Sequence, residues 1–159
     1  MTSGLAEHVL HQLAGAVADL WLVLEVRSAI DEHAQLDDPL DAVERSGVRL
    51  QMGFQRRFDK AYRQAKELID SGTLGRIEAI RDTMRDPSPA SRAYLETSGG
   101  LYRDMTIHNF DCVRWMMGQE VRELFAMGSA LVSPMFQELG DIDTSVISLR
   151  FNDDSLGVI

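Results

Sequence analysis

An aspartate and a histidine stand four residues apart at Asp104 and His108, shortly after a pair of glycines. If the segment is helical, about 3.6 residues per turn place Asp104, His108, Asp111 and Trp115 on one narrow stripe. Histidine titrates near neutral pH, and a carboxylate one turn away can orient the ring and stabilise the imidazolium. The spacing predicts a proton-transfer pair, although it also occurs on ordinary solvated helices.

The surroundings of this pair favour a functional role. Most other positions of the segment are apolar, which is typical of a helix packed in a protein interior. They are Met105, Ile107, Phe110, Cys112, Val113, Met116 and Met117. Burying ionisable groups is costly unless they are paired or used. The stretch before the helix, Pro87 to Ser98, predicts a long irregular connection, and such connections are often functional.

Two adjacent arginines, Arg56 and Arg57, directly follow a predicted strand that ends at Phe54. Proteins with alternating strands and helices commonly place ligand-binding residues at the carboxyl end of a strand. The pair therefore predicts a substrate contact. The alternative is a solvated basic pair at the start of a helix, and the sequence leaves both interpretations open.

Hydrophobic periodicity predicts the elements that position these side chains. Helices are predicted over residues 3–30, over Asp59–Ser71, and from the glycine pair to Met117, where Gly118 ends the helix. Strands are predicted over Val48–Phe54, Arg76–Asp86, Val121–Val132 and Thr144–Phe151, with a hairpin turn at 152–155 leading into Leu156–Ile159. The order of these elements predicts a chain that mixes helices with a sheet.

Composition excludes several classes of function. The chain has 159 residues and a formal net charge of -9, which argues against a nucleic-acid partner because phosphate binding needs a basic surface. Its single cysteine, Cys112, excludes an internal disulfide and a cysteine-based metal site, and no metal cluster is predicted. The single cysteine predicts a reduced, cytoplasmic setting. The most apolar run, 14–26, is interrupted by Asp19 and Glu25, so we expect no membrane span.

Known nucleotide-binding and nucleophile motifs are missing from the sequence. We find no Gly-x-Gly-x-x-Gly fingerprint, no Gly-x-x-x-x-Gly-Lys loop and no Gly-x-Ser-x-Gly elbow. Cofactor-binding residues are therefore unknown from the residues alone.

Four segments together resemble the glucose-fructose oxidoreductase / inositol dehydrogenase family (Gfo/Idh/MocA), in particular its inositol 2-dehydrogenase-like members. The segments are Gly47–Asp59, Leu74–Ile77, Ser98–Asp111 and Gly140–Thr144. The resemblance runs from about Asp41 to Ile159. It implies an α+β chain, with a remnant of a Rossmann domain at 1–54. Residues 55–159 would form part of a mostly antiparallel substrate-domain sheet with helices on one face.

The resemblance also implies an activity. Members of the family oxidise a sugar or polyol hydroxyl, such as that of myo-inositol, by hydride transfer to NAD or NADP. By similarity, His108 would accept the hydroxyl proton, Asp104 would support it, and Arg56 would line the substrate pocket. The open face of the sheet would build a homo-oligomer.

The sequence departs from the family pattern before Gly53. The glycine fingerprint and the Glu-Lys-Pro motif whose lysine completes the family's catalytic set are not found there. We therefore expect a chain that is truncated at both ends relative to the family and inactive as a dehydrogenase by itself. The alternative is a non-catalytic homologue that acts as a binding or oligomerisation module.

Overall fold

The computed structural model describes residues 43–47, 49, 51 and 53–159. The predicted helix over residues 3–30 lies outside them, as do residues 48, 50 and 52 of the predicted strand at 48–54. Residues 49, 51, 53 and 54 of that strand segment are described, and none of them lies in a strand. The expected remnant of a dinucleotide-binding domain at 1–54 therefore stays a prediction.

Helices and strands alternate along the described chain. The helical elements are a 3-10 turn at Gln55–Phe58, α1 at Lys60–Asp70, α2 at Arg92–Leu95, a π-helical turn at Tyr102–Thr106, α3 at Ile107–Met117 and α4 at Pro134–Leu139. The strands are β1 at Ala79–Arg81, β2 at Val121–Ser129, β3 at Thr144–Phe151 and β4 at Leu156–Val158.

The four strands form one mixed sheet in the order β1-β4-β3-β2. The β2–β3 and β3–β4 pairs are antiparallel, and β1 joins the edge parallel to β4. In the turn between β3 and β4, Asp154 takes a left-handed conformation with a φ of 69°. The predicted hairpin and the α+β arrangement are confirmed.

Local sequence signals explain where several helices begin and end. The Asp59 carboxylate accepts hydrogen bonds from the backbone N–H groups of Ala61 and Tyr62, so it caps α1 as expected. Gly118 ends α3 in a left-handed conformation with a φ of 60°. Two expectations need correction: the strand predicted over Arg76–Asp86 is confined to β1, and the irregular connection contains the short helix α2.

The core lies between α3 and one face of the sheet. Phe110 and Val113 of α3 pack in one buried cluster with Ile147, Leu149 and Phe151 of β3. Alternation along the strands turns the opposite side chains to the other face, which the described helices leave exposed. Within the described part of the chain, helices therefore cover one face of the sheet, as the resemblance implies.

The Gly140–Thr144 segment joins the sheet to the start of the helix that carries His108. The Asp141 carboxylate accepts hydrogen bonds from the backbone N–H groups of Ile142, at 2.8 Å, and Leu101, at 3.5 Å. Asp143 accepts three more from the loop after β2, the N–H groups of residues 131–133. These hydrogen bonds lower the pKa of Asp143 even though burial opposes them. The segment serves as a structural link.

No helix in the described part of the chain is long and apolar enough to span a lipid bilayer.

The close approach of β2 to the core predicts a specific intolerance at Gly128. A Cβ added there would overlap Cδ1 of the fully buried Ile142 and would lie 3.3 Å from the Tyr102 hydroxyl. We expect Gly128→Ala to lower the free energy of unfolding by about 1–3 kcal/mol, measured by urea denaturation. Gly53→Ala is the matched control, because no atom of the described residues lies within 4 Å of a Cβ at Gly53. Equal stability of the two variants would contradict this packing.

Candidate active site

The helical segment that carries the candidate pair starts at the two glycines predicted to precede it. Gly99 and Gly100 each have a φ of 88°, a conformation that residues with a Cβ rarely adopt. Beyond them, the side chain of Tyr102 is fully buried, and its hydroxyl lies 2.8 Å from the Ser145 hydroxyl of β3. The glycines and this anchor fix the entry of the helix against the sheet.

The first turns of the segment are π-helical, which the sequence analysis did not predict. The Ile107 N–H donates to the carbonyl of Tyr102, five residues earlier. A π-helical turn shifts the register between the residues before and after it, and such turns are frequent at functional sites. The stripe expected for a regular α-helix therefore holds from His108 to Asp111, but does not extend back to Asp104 unchanged.

His108 lies at the start of α3, partly buried against the turn that follows Phe54. The Phe54 and His108 rings meet edge to face with centroids 6.0 Å apart. Nδ1 of His108 is buried and has no hydrogen-bond partner among the described residues. Buried polar atoms without partners are rare, and each one calls for an explanation such as a catalytic role.

The environment of His108 favours the neutral imidazole. Burial lowers the pKa of His108 most, and the positive charge of Arg56 lowers it further. The carboxylates of Asp104 and Asp111 oppose these effects without reversing them. A histidine of this kind remains uncharged at neutral pH and can accept a proton.

Arg56 lies beside His108, and three groups contact its guanidinium nitrogens. One guanidinium nitrogen, Nη1, donates to Asp82 Oδ2 at 2.8 Å and to the His108 carbonyl at 3.4 Å, while Nη2 lies 2.8 Å from the Met84 sulfur. Its guanidinium carbon also lies 5.9 Å from the centre of the Tyr62 ring. The side chain is 14% exposed, so little of it is open to solvent. Its expected role as a substrate contact stays a prediction.

Arg57 pairs with the buried carboxylate of Asp111. Its Nε and Nη2 donate to both carboxylate oxygens of Asp111, at distances of 2.6–3.2 Å. Asp111 is 2% exposed, and the hydrogen bonds raise the pKa of Arg57 above its ordinary value. This two-pronged contact fixes the 3-10 turn to α3 one turn beyond His108.

Asp104 has a partner other than the one the sequence predicts. Its Oδ1 accepts a hydrogen bond of 2.6 Å from the Tyr94 hydroxyl on α2. Among the described residues no hydrogen bond joins Asp104 to His108, although the carboxylate acts on the imidazole through its charge. The structure thus brings Asp104, His108 and Arg56 into one region. The working relation of Asp104 and His108 stays a prediction.

Sequence reasoning missed three residues that shape this region, namely Arg57 as an ion-pair partner, Asp82 and Tyr94. Arg57 and Asp111 are 54 positions apart, and Arg56 and Asp82 are 26 apart. No local pattern connects residues so distant in sequence. The one usable signal was Asp111, which lies on the predicted stripe and, being buried, needs a cation.

The described residues form no complete cofactor or metal site. Within the described ranges, no group of three or more His, Cys, Asp or Glu side chains could hold a metal ion. Backbone N–H groups at a glycine-rich turn are the usual cradle for a dinucleotide pyrophosphate, and no such fingerprint occurs in the sequence. The residues near His108 therefore do not fit a complete dinucleotide site.

Residues 62–159 match the GFO/IDH/MocA C-terminal domain. The chain is 44% identical over 126 residues to the myo-inositol 2-dehydrogenase of Thermotoga maritima, covering 79% of this chain and 38% of that protein. It is 42% identical over 151 residues to an uncharacterized oxidoreductase of Bacillus subtilis, covering 95% of this chain and 43% of that protein.

One similar solved structure contains ligands. The scyllo-inositol dehydrogenase of Lactobacillus casei, solved with NAD(H) and scyllo-inositol, is 31% identical with a TM-score of 0.62. The match covers 74% of this chain and 36% of that chain. The chain thus spans about two fifths of the length of the relatives that it matches.

The ion pair with Asp111 predicts that Arg57 contributes strongly to the free energy of unfolding, although Arg57 lies on a short turn. We expect Arg57→Ala to lower the free energy of unfolding by about 2 kcal/mol, because it leaves a buried carboxylate unpaired while Arg57 itself is partly exposed. Urea denaturation measures the change. Arg92→Ala is the matched control, because it removes an arginine from exposed pairs with Glu96 and Glu138. A loss no greater than in the control would contradict the assigned importance of the pair.

Proposed function

The chain belongs to the GFO/IDH/MocA family, and from this premise we propose that it carries the proton-accepting and substrate-facing part of an NAD(P)-dependent dehydrogenase. The substrate class is a polyol or sugar hydroxyl, such as that of myo-inositol. The names of the relatives support this class, since inositol dehydrogenases recur among them. Because the chain spans about two fifths of those proteins, the activity of a whole enzyme is part of the proposal.

The observation that carries the proposal is the state of His108. Its imidazole is partly buried, has an unpartnered Nδ1 among the described residues, and lies beside the fixed charge of Arg56. Oxidation of an alcohol removes a proton from oxygen and a hydride from carbon. A histidine kept neutral near physiological pH is suited to the first of these tasks.

Asp104 and Arg56 would assist His108 in different ways. The carboxylate of Asp104 raises the proton affinity of His108 and stabilises the imidazolium once the proton has arrived. The positive charge of Arg56 disfavours that imidazolium, so His108 would release the proton more readily. The remaining N–H donors of Arg56 could orient a substrate hydroxyl. The two charges oppose each other, as suits a base that must both take up and release a proton.

NAD or NADP would supply the hydride acceptor in this reaction. The described residues do not fit a complete site for it, so the proposed roles of this chain are confined to the substrate hydroxyl and its proton. We accordingly expect no dehydrogenase activity from the isolated chain.

A chimera tests the proposed function. The matched segment of the Thermotoga maritima myo-inositol 2-dehydrogenase is replaced by the corresponding residues of this chain, and NADH formation with myo-inositol is followed by absorbance. We expect turnover in the chimera and a fall in kcat of at least about 100-fold in its His108→Gln variant, because a general base contributes about 10²–10⁴. The isolated chain is assayed in parallel and is expected to give no NADH.

The control for this assay is Asp70→Asn, which removes an exposed carboxylate paired with Lys66 and should leave kcat unchanged. Full activity of the chimera without His108 would refute the proposed base. Turnover by the isolated chain that is lost in His108→Ala would refute its expected inactivity.

A second candidate function is an assembly module, and the exposed face of the sheet favours it. Phe125 is 64% exposed and Met127 is 60% exposed, and Val146, directly opposite Met127, is also exposed. With Leu156 and Val158 of β4 these side chains make an apolar face that the described helices leave uncovered. Apolar faces of this kind commonly mark protein–protein contacts.

If this face joins copies of the chain into a homo-oligomer, a charge placed within it should dissociate them. We expect light scattering to give a mass above that of one chain for the wild type and a lower mass for Phe125→Lys. Leu131→Lys is the control, because Leu131 is exposed in the loop after β2, outside the strands. A monomeric wild type, or equal masses for both variants, would exclude assembly through this face.

A further inference from the structure

Helix α2 is fixed in place although it is only one turn long. Ser91 caps it by accepting a hydrogen bond from the Tyr94 N–H at 3.4 Å. Arg92 binds Glu96 on the same turn and Glu138 of α4, at 3.0 and 2.7 Å. These contacts cap α2 and join it to α4.

Tyr94 extends from this helix to the carboxylate of Asp104. Its hydroxyl donates to Oδ1 at 2.6 Å, a short distance typical of a hydrogen bond to a charged oxygen. The bond raises the pKa of Tyr94, so the phenol stays protonated and remains the donor. The ring is 50% exposed, so packing alone does not account for its position.

We infer that Tyr94 is a positioning residue, which holds the Asp104 carboxylate through Oδ1 and so limits how strongly Asp104 stabilises a protonated His108. This inference rests on the proposed roles of Asp104 and His108. A hydroxyl donor on one oxygen disperses the negative charge and fixes the carboxylate in one orientation. Asp104 then acts on His108 through its charge, without forming a direct ion pair.

Other charged and titratable groups surround His108 and would be unchanged by this contact. Arg56 approaches from the 3-10 turn, Asp82 neutralises Arg56 from beyond β1, and Asp111 on α3 is paired with Arg57. Burial, followed by the nearby Asp82, raises the pKa of Cys112 to about 11, so its thiol carries no charge near neutral pH. Among the described residues, the Tyr94–Asp104 hydrogen bond is therefore the contact through which α2 can affect the imidazole.

The test is an NMR titration of His108 in the full chain, with its signal assigned by its loss in His108→Gln. We expect Tyr94→Phe to raise the proton-binding constant of His108 about threefold, because Asp104 is then free to approach the imidazolium. In the Asp104→Asn background the same substitution should have no effect. A general structural role for Tyr94 would change both backgrounds alike.

A second measurement uses Tyr94 itself and needs no substitution of the tyrosine. Asp104→Asn should return the pKa of Tyr94 to its ordinary range, followed by phenolate absorbance. No change of His108 in Tyr94→Phe, or equal changes in both backgrounds, would overturn the inference. These titrations need neither cofactor nor substrate. An inactive chimera would therefore refute the proposed dehydrogenase function, and the titrations would still test the role of Tyr94.

Discussion

The arrangement around His108 depends on the pairing of one buried carboxylate, Asp111, with Arg57. An isolated charge in the interior is strongly unfavourable, so Asp111, at 2% exposure, requires a cation in a defined geometry. The guanidinium meets it with two parallel contacts and thereby fixes the 3-10 turn against α3. Because Arg56 precedes Arg57 in the same turn, this constraint also delivers a second guanidinium to His108.

The position of Asp104 depends on a second feature, the way the helical segment begins. Two glycines with positive φ and the buried Tyr102 start the helical segment, and Asp104 lies in a π-helical turn that precedes the regular geometry of α3. The charge of Asp104 consequently acts on His108, while the Asp104 carboxylate accepts a hydrogen bond from Tyr94. His108 thus lies near the positive charge of Arg56 and the negative charge of Asp104. Arg56 is in turn paired with Asp82.

Local signals in the sequence predicted a substantial part of this fold. The cap at Asp59, the stop at Gly118 and the hairpin into β4 were recognisable because each depends on residues a few positions apart. The shortness of β1 and the π-helical turn were not predicted. Both accompany tertiary contacts, the pairing of β1 with β4 at the sheet edge and the Tyr102–Ser145 hydrogen bond. The ion pairs of Arg56 and Arg57 lay beyond prediction for the same reason. Asp104 and His108 were candidates by type and spacing and stay so, whereas Tyr94 had no pattern to mark it.

The central claim is that the folded chain holds His108 as a neutral base. The direct measurement is the pKa of the His108 imidazole by NMR, in the folded chain and in the same chain unfolded in urea. Burial and Arg56 predict a lower pKa in the folded state. Since the unfolded state then binds more protons, stability should fall as the pH drops through the unfolded value near 6.5 towards the folded one. A folded-state pKa equal to or above that of the unfolded chain would contradict the account.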